Sequence, residues 1–227
     1  MKILMTTLVS LLSVQLLATT YYWIANAPGS KQWADATDLN NWSTSWVDGY
    51  PDPNTHPTAL PTENDEIWLR RDILMDLKGQ TWKVKAHQLG VKYELGGTGE
   101  YWGGDHPFAV TNGNISITGE VRMRSTGGFH AYNGSVLTLP DYPKPGYDME
   151  TPCPINAYAG GKVVLGTVQT YNTAMTVHEN AEMDIGRIYP LDNATKPTIV
   201  ENFGTITPTD GWTFSLYPNF GLKEEAR

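Results

Sequence analysis

Asn112-Gly113-Asn114-Ile115-Ser116-Ile117 is the first of five similar units, each a turn residue followed by a strand with alternating apolar residues. The other units are Asn133-Gly134-Ser135-Val136-Leu137-Thr138-Leu139, Gly160-Gly161-Lys162-Val163-Val164-Leu165, Asn180-Ala181-Glu182-Met183-Asp184-Ile185 and Asn202-Phe203-Gly204-Thr205-Ile206-Thr207. Their first apolar residues are 21, 27, 20 and 23 positions apart, and two backward steps of 24 positions reach Val91 and Ile67.

This spacing predicts an all-β fold, a single-stranded parallel β-helix (a β-solenoid) that we expect to be right-handed. Each interval supplies one coil of short strands, and each strand pairs with its equivalent one coil later, about 4.8 Å away. We predict that Ile115, Val136, Val163 and Met183 line up in one buried column. We also expect Asn and Gly to adopt positive φ at the corners, and the Asn amides to stack in a hydrogen-bonded ladder.

The alternative is an antiparallel β-sandwich in which Asn112-Gly113 and Asn133-Gly134 are tight hairpin turns. Hairpins repeat every 8 to 12 residues or so, whereas these units return after 20 to 27. The interval therefore favours the solenoid.

The chain begins with Lys2 and an apolar run that ends at Ala18, a pattern typical of a secretory signal. We predict a signal peptide at residues 1–20, cleaved after Ala18 or Thr20. Residues 21–64, which are rich in Trp, then form an aromatic N-terminal cap. Residues 65–217 form the solenoid with a Pro-rich insertion at 140–154, and residues 218–227 form a C-terminal tail.

Composition limits the partners. The formal net charge is −8, and loss of Lys2 with the signal makes it −9; the basic residues form no run longer than the pair Arg70-Arg71. Nucleic acid is therefore excluded as a partner, and we expect no membrane insertion after signal removal. The single Cys153 cannot form a disulfide within the chain, so packing and hydrogen bonds must provide the stability.

The N-terminal region contains Trp33-x-Asp35, then Asn41-Trp42-Ser43, then Pro61-x-x-x-Asp65-x-Ile67-x-Leu69. This series resembles the start of secreted bacterial β-helix proteins of the autotransporter-passenger-like kind. The resemblance covers about 45 residues by motif and the rest of the chain by repeat texture alone. It implies a capped, secreted β-helix and does not imply an activity.

The chain lacks the motifs of the common hydrolases, metalloproteases, zinc sites and nucleotide-binding proteins. We therefore predict no catalytic residues and lean against an enzyme. If the chain were an enzyme, we would expect a polysaccharide lyase or glycoside hydrolase that uses acids of the insertion. The local candidates are Asp141, Asp148 and Glu150 with Lys144.

We predict no metal and no cofactor, and two alternatives remain. His106 and His130 are 24 positions apart, so with His87 and Asp105 they could face one ion, although isolated histidines are favoured. A calcium ion could be held by acids of the cap, although solvated or turn-capping carboxylates are favoured. These acids are Asp35, Asp38, Asp48, Asp52, Glu63, Asp65 and Glu66.

Aromatic residues in loops or beside turns are the predicted ligand-binding residues, because exposed rings can stack on sugars. They are Tyr101, Trp102, Tyr132, Tyr142 and Tyr147, with Tyr101 and Trp102 expected at the tip of a flexible Gly-rich loop. We predict a secreted or cell-surface scaffold or adhesin-like module. Its expected partners are glycans, other surface proteins or further copies of the chain. A carbohydrate-active β-helix protein, binding or cleaving polysaccharide, is the alternative function.

Overall fold

The fold is that of a computed structural model. The structure describes residues 18–26, 31–48, 50–69, 72–89, 92–95, 99–102, 107–118, 122–123, 127–140, 144–145, 154–170, 173–190, 198–209 and 220–223. Within these ranges the chain is all-β, with one short 3₁₀ helix at Leu39–Asn41 and no α-helix. The same ranges contain no helix with the length and apolarity needed to cross a membrane.

Twenty-three strands are present in the described part of the chain. They are β1 (Thr20–Trp23), β2 (Ala34–Asp35), β3 (Trp42–Ser43), β4 (Trp46–Val47), β5 (Tyr50–Pro51), β6 (Glu66–Leu69), β7 (Ile73–Asp76), β8 (Thr81–Leu89), β9 (Lys92–Leu95), β10 (Gly99–Trp102), β11 (Phe108–Thr111), β12 (Gly113–Thr118), β13 (Arg122–Met123), β14 (Phe129–Ala131), β15 (Ser135–Leu139), β16 (Lys144–Pro145), β17 (Ile155–Ala157), β18 (Lys162–Thr170), β19 (Ala174–Val177), β20 (Glu182–Pro190), β21 (Thr198–Asn202), β22 (Thr205–Pro208) and β23 (Phe220–Lys223).

Most strands belong to two large sheets. The nine-stranded sheet has the order β22-β20-β18-β15-β12-β8-β6-β1-β3, and the eight-stranded sheet has the order β2-β7-β11-β14-β17-β19-β21-β23. All pairings in both sheets are parallel except that of β1 with β3. From β11 onward, consecutive members of the two sheets alternate along the chain, an arrangement compatible with a β-solenoid; neither sheet closes on itself.

Apolar side chains of both sheets stack into columns between them. In the nine-stranded sheet, one column joins paired residues Trp82, Ile115, Leu137, Val163, Met183 and Ile206. In the eight-stranded sheet, another joins Ile73, Phe108, Phe129, Ile155, Met175 and Val200. Nearly all of these side chains are buried, so the columns form one continuous core.

The predicted column returns once per layer, as the structure does, but two of its residues are wrong, Val136 and Val91. Leu137, not Val136, pairs with Ile115 and Val163, and Val136 lies on the opposite face of the sheet. The cause is one extra corner residue: two residues separate Val110 from Gly113, whereas three separate their partners Ala131 and Ser135. Trp82, rather than Val91, precedes Ile115 in the column.

The hairpin alternative is wrong. The strands on either side of Asn112-Gly113 lie in different sheets, as do those on either side of Asn133-Gly134. The corners have the predicted positive φ at Asn112 (54°) and at Gly134 (69°). They stack chiefly through backbone hydrogen bonds, such as Gly134 N–H to Gly160 C=O at 2.9 Å, while the Asn112 amide donates to the Asp76 carboxylate.

The N-terminal region is joined to the core by its aromatic residues. β1 extends the nine-stranded sheet by pairing with β6, and Trp23 and Trp42 are buried with ring centroids 4.9 Å apart. Each indole N–H has a partner, the Asn26 side-chain oxygen for Trp23 and the Ala36 carbonyl for Trp42. Burying two paired indoles in this way covers apolar surface at one end of the sheet.

Three described strands include residues for which the sequence predicted a loop tip, a C-terminal tail or a signal. β9 and β10 form an antiparallel hairpin, so Tyr101 and Trp102 lie in a strand and not at the tip of a flexible loop. β23 continues the eight-stranded sheet into the predicted C-terminal tail. Thr20, in the predicted signal, belongs to β1.

Candidate functional site

A column of aromatic rings runs along the outer edge of the eight-stranded sheet. Tyr132, Tyr158 and His178 each follow directly after a strand, β14, β17 and β19 respectively. Because the last residues of those strands pair in parallel register, the next residues are also superposed, one layer apart. Their backbones continue the ladder: Tyr158 N–H donates to the Ala131 carbonyl at 2.8 Å, and His178 N–H donates to Ala157 at 2.9 Å.

The rings stack face to face. Tyr132 and Tyr158 have centroids 4.3 Å apart and planes 9° from parallel, and Tyr158 and His178 have values of 4.3 Å and 11°. Trp33 from the N-terminal region meets Tyr132 edge-on at 5.2 Å. We call Trp33, Tyr132, Tyr158 and His178 the aromatic ladder.

The next layer carries Phe203 at the equivalent position, where its N–H donates to the Val177 carbonyl at 2.7 Å. Phe203 is 45% exposed and Trp33 is 40% exposed, while the three stacked rings between these positions are half-buried. Both faces of Tyr158 are covered by its neighbours. The surface therefore shows ring edges along most of the ladder and offers its most accessible aromatic groups at Trp33 and Phe203.

A buried polar network lies behind the stacked rings. His130 directs Nε2 at the Gly127 carbonyl, which can only accept, so this nitrogen carries the proton and Nδ1 accepts from the Asn156 amide at 3.2 Å. The same Asn156 amide donates to the Tyr158 hydroxyl at 3.4 Å. Asn156 therefore connects a buried histidine to the centre of the ladder.

Tyr132 is kept as a neutral phenol. Burial raises its pKa far above the usual value, and the neighbouring Tyr158 raises it further. A neutral, stacked phenol is a packing and hydrogen-bonding group and not a general base at ordinary pH.

The other predicted binding residues are not brought to this ladder by the described structure. The backbones of Tyr101 and Trp102 pair with those of Tyr93 and Lys92 in the β9–β10 hairpin. Tyr142 and Tyr147 lie outside the described residues. So do Cys153 and the insertion acids Asp141, Asp148 and Glu150, whereas Lys144 contributes its backbone to the pairing of β16 with β13.

Acids of the N-terminal region accept hydrogen bonds from their own turns. Asp35 accepts from Thr37, Asp38 accepts from Asn40, and Asp52 accepts from Asn54 and Thr55. Glu63 and Glu66 form ion pairs with Lys83 and Lys85. Asp48 occupies a turn with positive φ.

These arrangements favour turn-capping and surface acids over a calcium site. Among the described residues, no group of three His, Cys, Asp or Glu side chains is placed to hold a metal ion. His106 and Asp105 lie outside the described residues, whereas His87 lies in β8 of the nine-stranded sheet and His130 lies in β14 of the eight-stranded sheet.

Of the stacked rings, only Tyr132 is among the residues predicted from the sequence, and Tyr158 and His178 are not. A usable signal was present: Ala131-Tyr132-Asn133-Gly134, Ala157-Tyr158-Ala159-Gly160 and Val177-His178-Glu179-Asn180 share a small or apolar residue, an aromatic ring and a corner. The rings are 26 and 20 positions apart, the same intervals as the buried column in those layers.

The comparisons with known proteins give no relative from which a site could be transferred: no family model, curated protein or solved structure matches the chain.

Proposed function

We propose that the chain is a secreted, non-enzymatic β-solenoid, a right-handed single-stranded parallel β-helix that serves as an extracellular scaffold or adhesin-like module. The observation that carries the proposal is the uninterrupted parallel pairing from β8 through β12, β15, β18 and β20 to β22. In such a stack each layer contacts chiefly its neighbours, so the body is stiff along its axis and repeats its outer surface at each layer.

The outer surface also supports a display role. The ladder rings hold one edge of the body, and cross-layer ion pairs such as Lys162 with Asp184 at 2.8 Å hold another face. With a net charge of −8, the chain suits neutral glycans or proteins as partners better than nucleic acid. The likeness of the N-terminal motifs to secreted bacterial β-helix proteins is part of the same proposal.

The test combines adhesion with a search for catalysis. Beads coated with the purified protein are passed over immobilised polysaccharides and surface proteins, and the same protein is incubated with soluble polysaccharides while reducing ends are measured. We expect retention on at least one surface and no release of reducing ends. If the wild type released reducing ends and Asp148→Asn or Glu150→Gln did not, the scaffold proposal would be wrong and the carbohydrate-active alternative would take its place.

Glycan binding through exposed rings is the second candidate, and the exposure of Trp33 and Phe203 favours it. A sugar stacks on a ring face, and both faces of Tyr158 are already occupied. Contact with sugar would therefore fall on the rings at the two ends and not on the middle of the ladder.

Glycan retention by variants tests this candidate. Trp33→Ala should weaken retention about tenfold, which corresponds to about 1.4 kcal/mol of binding free energy. Val47→Ala removes an equally exposed apolar side chain outside the ladder and should leave retention unchanged. Equal retention by the wild type and by a variant with both Trp33→Ala and Phe203→Ala would remove these rings from glycan binding.

A further inference from the structure

The Asp65 carboxylate is almost completely buried and is held by three hydrogen bonds. Oδ2 accepts from the Thr62 N–H at 2.8 Å and from the Thr62 hydroxyl at 2.7 Å. Oδ1 accepts from the Thr19 N–H at 2.9 Å. Within the described residues no cation pairs with Asp65, because Lys83 and Lys85 bind Glu63 and Glu66 instead.

Thr19 is where the folded body begins. Within the described residues, the first hydrogen bonds of the chain are those of Thr19, whose carbonyl accepts from the Glu66 N–H at 3.0 Å. Thr20 then pairs with Glu66 as the first residue of β1. The backbone of Thr19 is thus fixed at both its nitrogen and its oxygen, and the nitrogen points at a buried negative charge.

The sequence left two cleavage points open, after Ala18 and after Thr20, and the structure distinguishes them. Cleavage after Thr20 would remove both hydrogen bonds of Thr19 and the first pair of β1 with β6. Cleavage after Ala18 keeps all of these contacts. It also places the small residue Ala18 directly before the cut, at one of the two small positions of a typical cleavage site, while the other position holds Leu16.

We propose that export is accompanied by hydrolysis of the Ala18–Thr19 peptide bond and that the new α-ammonium of Thr19 forms an ion pair with Asp65. In this reaction water supplies a hydroxyl to the Ala18 carbonyl carbon and a proton to the Thr19 nitrogen, and the C–N bond breaks. The new carboxylic acid then loses its proton and the new amine gains one, which gives a carboxylate and the α-ammonium. The catalyst is the signal peptidase of the export pathway, so the inference rests on the proposed secretion.

The new terminus strengthens an existing contact. A neutral amide N–H that donates to the Asp65 carboxylate is replaced by an ammonium, so a hydrogen bond with one charged partner becomes an ion pair with two. Cleavage thereby supplies a cation to a buried carboxylate that has none among the described residues, and it fixes the start of β1 against the turn at Thr62. Thr19 is therefore both the residue that follows the cut and the first hydrogen-bonded residue of the described fold.

The ion pair has a defined pH dependence. An α-amino group in an unfolded chain has a pKa of about 7.7–8.0, and an adjacent buried carboxylate raises that pKa in the folded protein. The extra stability is therefore complete below about pH 7.5 and is lost as the pH rises through the folded-state pKa.

The first experiment is export of the full chain from a secreting bacterial host, followed by intact mass and N-terminal sequencing of the exported protein. We expect Thr19 as the first residue. An exported protein that begins at Tyr21 or elsewhere overturns the inference while leaving secretion intact. Retention of the full chain inside the cell overturns the proposed secretion instead.

The second experiment tests the ion pair without export. Chains released from a cleavable fusion begin at Thr19, at Ala18 or at Tyr21, and their thermal midpoints are compared from pH 6 to pH 10. The chain that begins at Ala18 is the matched control, because it keeps the Thr19 amide hydrogen bond and moves the charge away.

At pH 6.5 we expect the Thr19 chain to melt about 2–4 °C above the Ala18 chain, the shift expected from one stronger contact in a protein of this size. The difference should shrink above pH 8 and be absent in Asp65→Asn at every pH. Equal midpoints of the two chains with Asp65 present would overturn the ion pair.

Discussion

Replacing Leu137 by alanine tests the register of the core directly, because the sequence placed Val136 in the buried column and the structure places Leu137 there. Leu137 is fully buried between Ile115 and Val163. A buried Leu→Ala change costs about 2–5 kcal/mol, with the higher values where the surroundings cannot collapse. The neighbouring strands are held at a fixed spacing by backbone ladders, so we expect the cavity to persist and the cost to be about 3–4 kcal/mol.

Val136→Ala is the matched control, since it changes the adjacent residue on the opposite face. Its side chain is half-buried, so loss of two partly solvated methyl groups should cost about 0.5–1 kcal/mol. The assay is urea unfolding followed by tryptophan fluorescence. With a slope of about 2–3 kcal/mol per molar urea, Leu137→Ala should lower the midpoint by about 1–2 M and Val136→Ala by less than about 0.5 M. If Val136→Ala costs as much as Leu137→Ala, the layer pairing described above is wrong.

Three further predictions concern the corners, the ladder and the buried acid. Gly161→Ala would place a Cβ 2.4 Å from the Ala131 carbonyl oxygen of the adjacent layer, and we expect it to cost at least about 2–3 kcal/mol. Gly79→Ala is the control: its Cβ meets no neighbouring atom, so at φ +77° it should cost about 1–2 kcal/mol. Both costs are measured by the urea unfolding described for Leu137→Ala. A greater cost at Gly79 than at Gly161 would refute close stacking at Gly161. Tyr158→Ala removes two ring stacks and should lower the free energy of unfolding by about 1–3 kcal/mol. Tyr158→Phe keeps both stacks, so its free energy of unfolding should stay within about 1 kcal/mol of the wild-type value, and its aromatic near-ultraviolet circular dichroism should be retained. Burial acts to raise the pKa of Asp65, but its hydrogen bonds to Thr19 and Thr62 outweigh burial and lower the pKa. The stability that Asp65 contributes is thus present above about pH 3.9 and lost as the pH falls further, and Asp65→Asn should flatten acid unfolding in that range; an unchanged acid limb would contradict this assignment.

The interval between units could be predicted from the sequence because parallel pairing makes equivalent strands return after one layer. The register could not, because the number of corner residues differs between layers. Val110 pairs with Ala131 before the corner and Gly113 pairs with Ser135 after it, so two residues lie between these positions in one layer and three in the next. Aligning the two Asn-Gly pairs therefore shifts the strand by one residue, and a shift of one residue exchanges the inner and outer faces.

The interval also failed where another element intervenes. Ile115 follows its partner Trp82 by 33 positions, because the β9–β10 hairpin lies between the two strands. Counting back by 24 positions therefore reaches Val91, at the start of this excursion. A constant repeat interval locates equivalent residues when layers are joined by short corners. It does not locate them when a hairpin is inserted within a layer.

The candidate site was predictable only in part because its members were sought as exposed loop aromatics. Tyr132 satisfied that criterion by lying next to a turn. Tyr158 and His178 are recognisable only when positions are compared between layers, since each is unremarkable within its own segment. The relevant property is the neighbour one layer away, which local sequence does not show.

The same property decides which side chains can repeat in a parallel stack. Each residue faces its equivalent in the next layer at about 4.8 Å, so an aromatic residue can be followed by another aromatic residue at the same position of the next layer. Phe108 and Phe129 are such a pair in the core, and Tyr132 and Tyr158 are such a pair outside it. Like charges at that distance would repel.

Charged positions in the nine-stranded sheet accordingly change sign between layers. Glu66 pairs with Lys85 and Lys162 pairs with Glu182, each with a 3.3 Å ion pair, and Lys162 also reaches Asp184. Repeating aromatic rings and alternating charges both follow from one geometric fact, the parallel register. The pairing of Lys162 with Glu182 belongs to the register of β18 with β20, so charge complementarity supports Val163 opposite Met183 and does not choose between Leu137 and Val136.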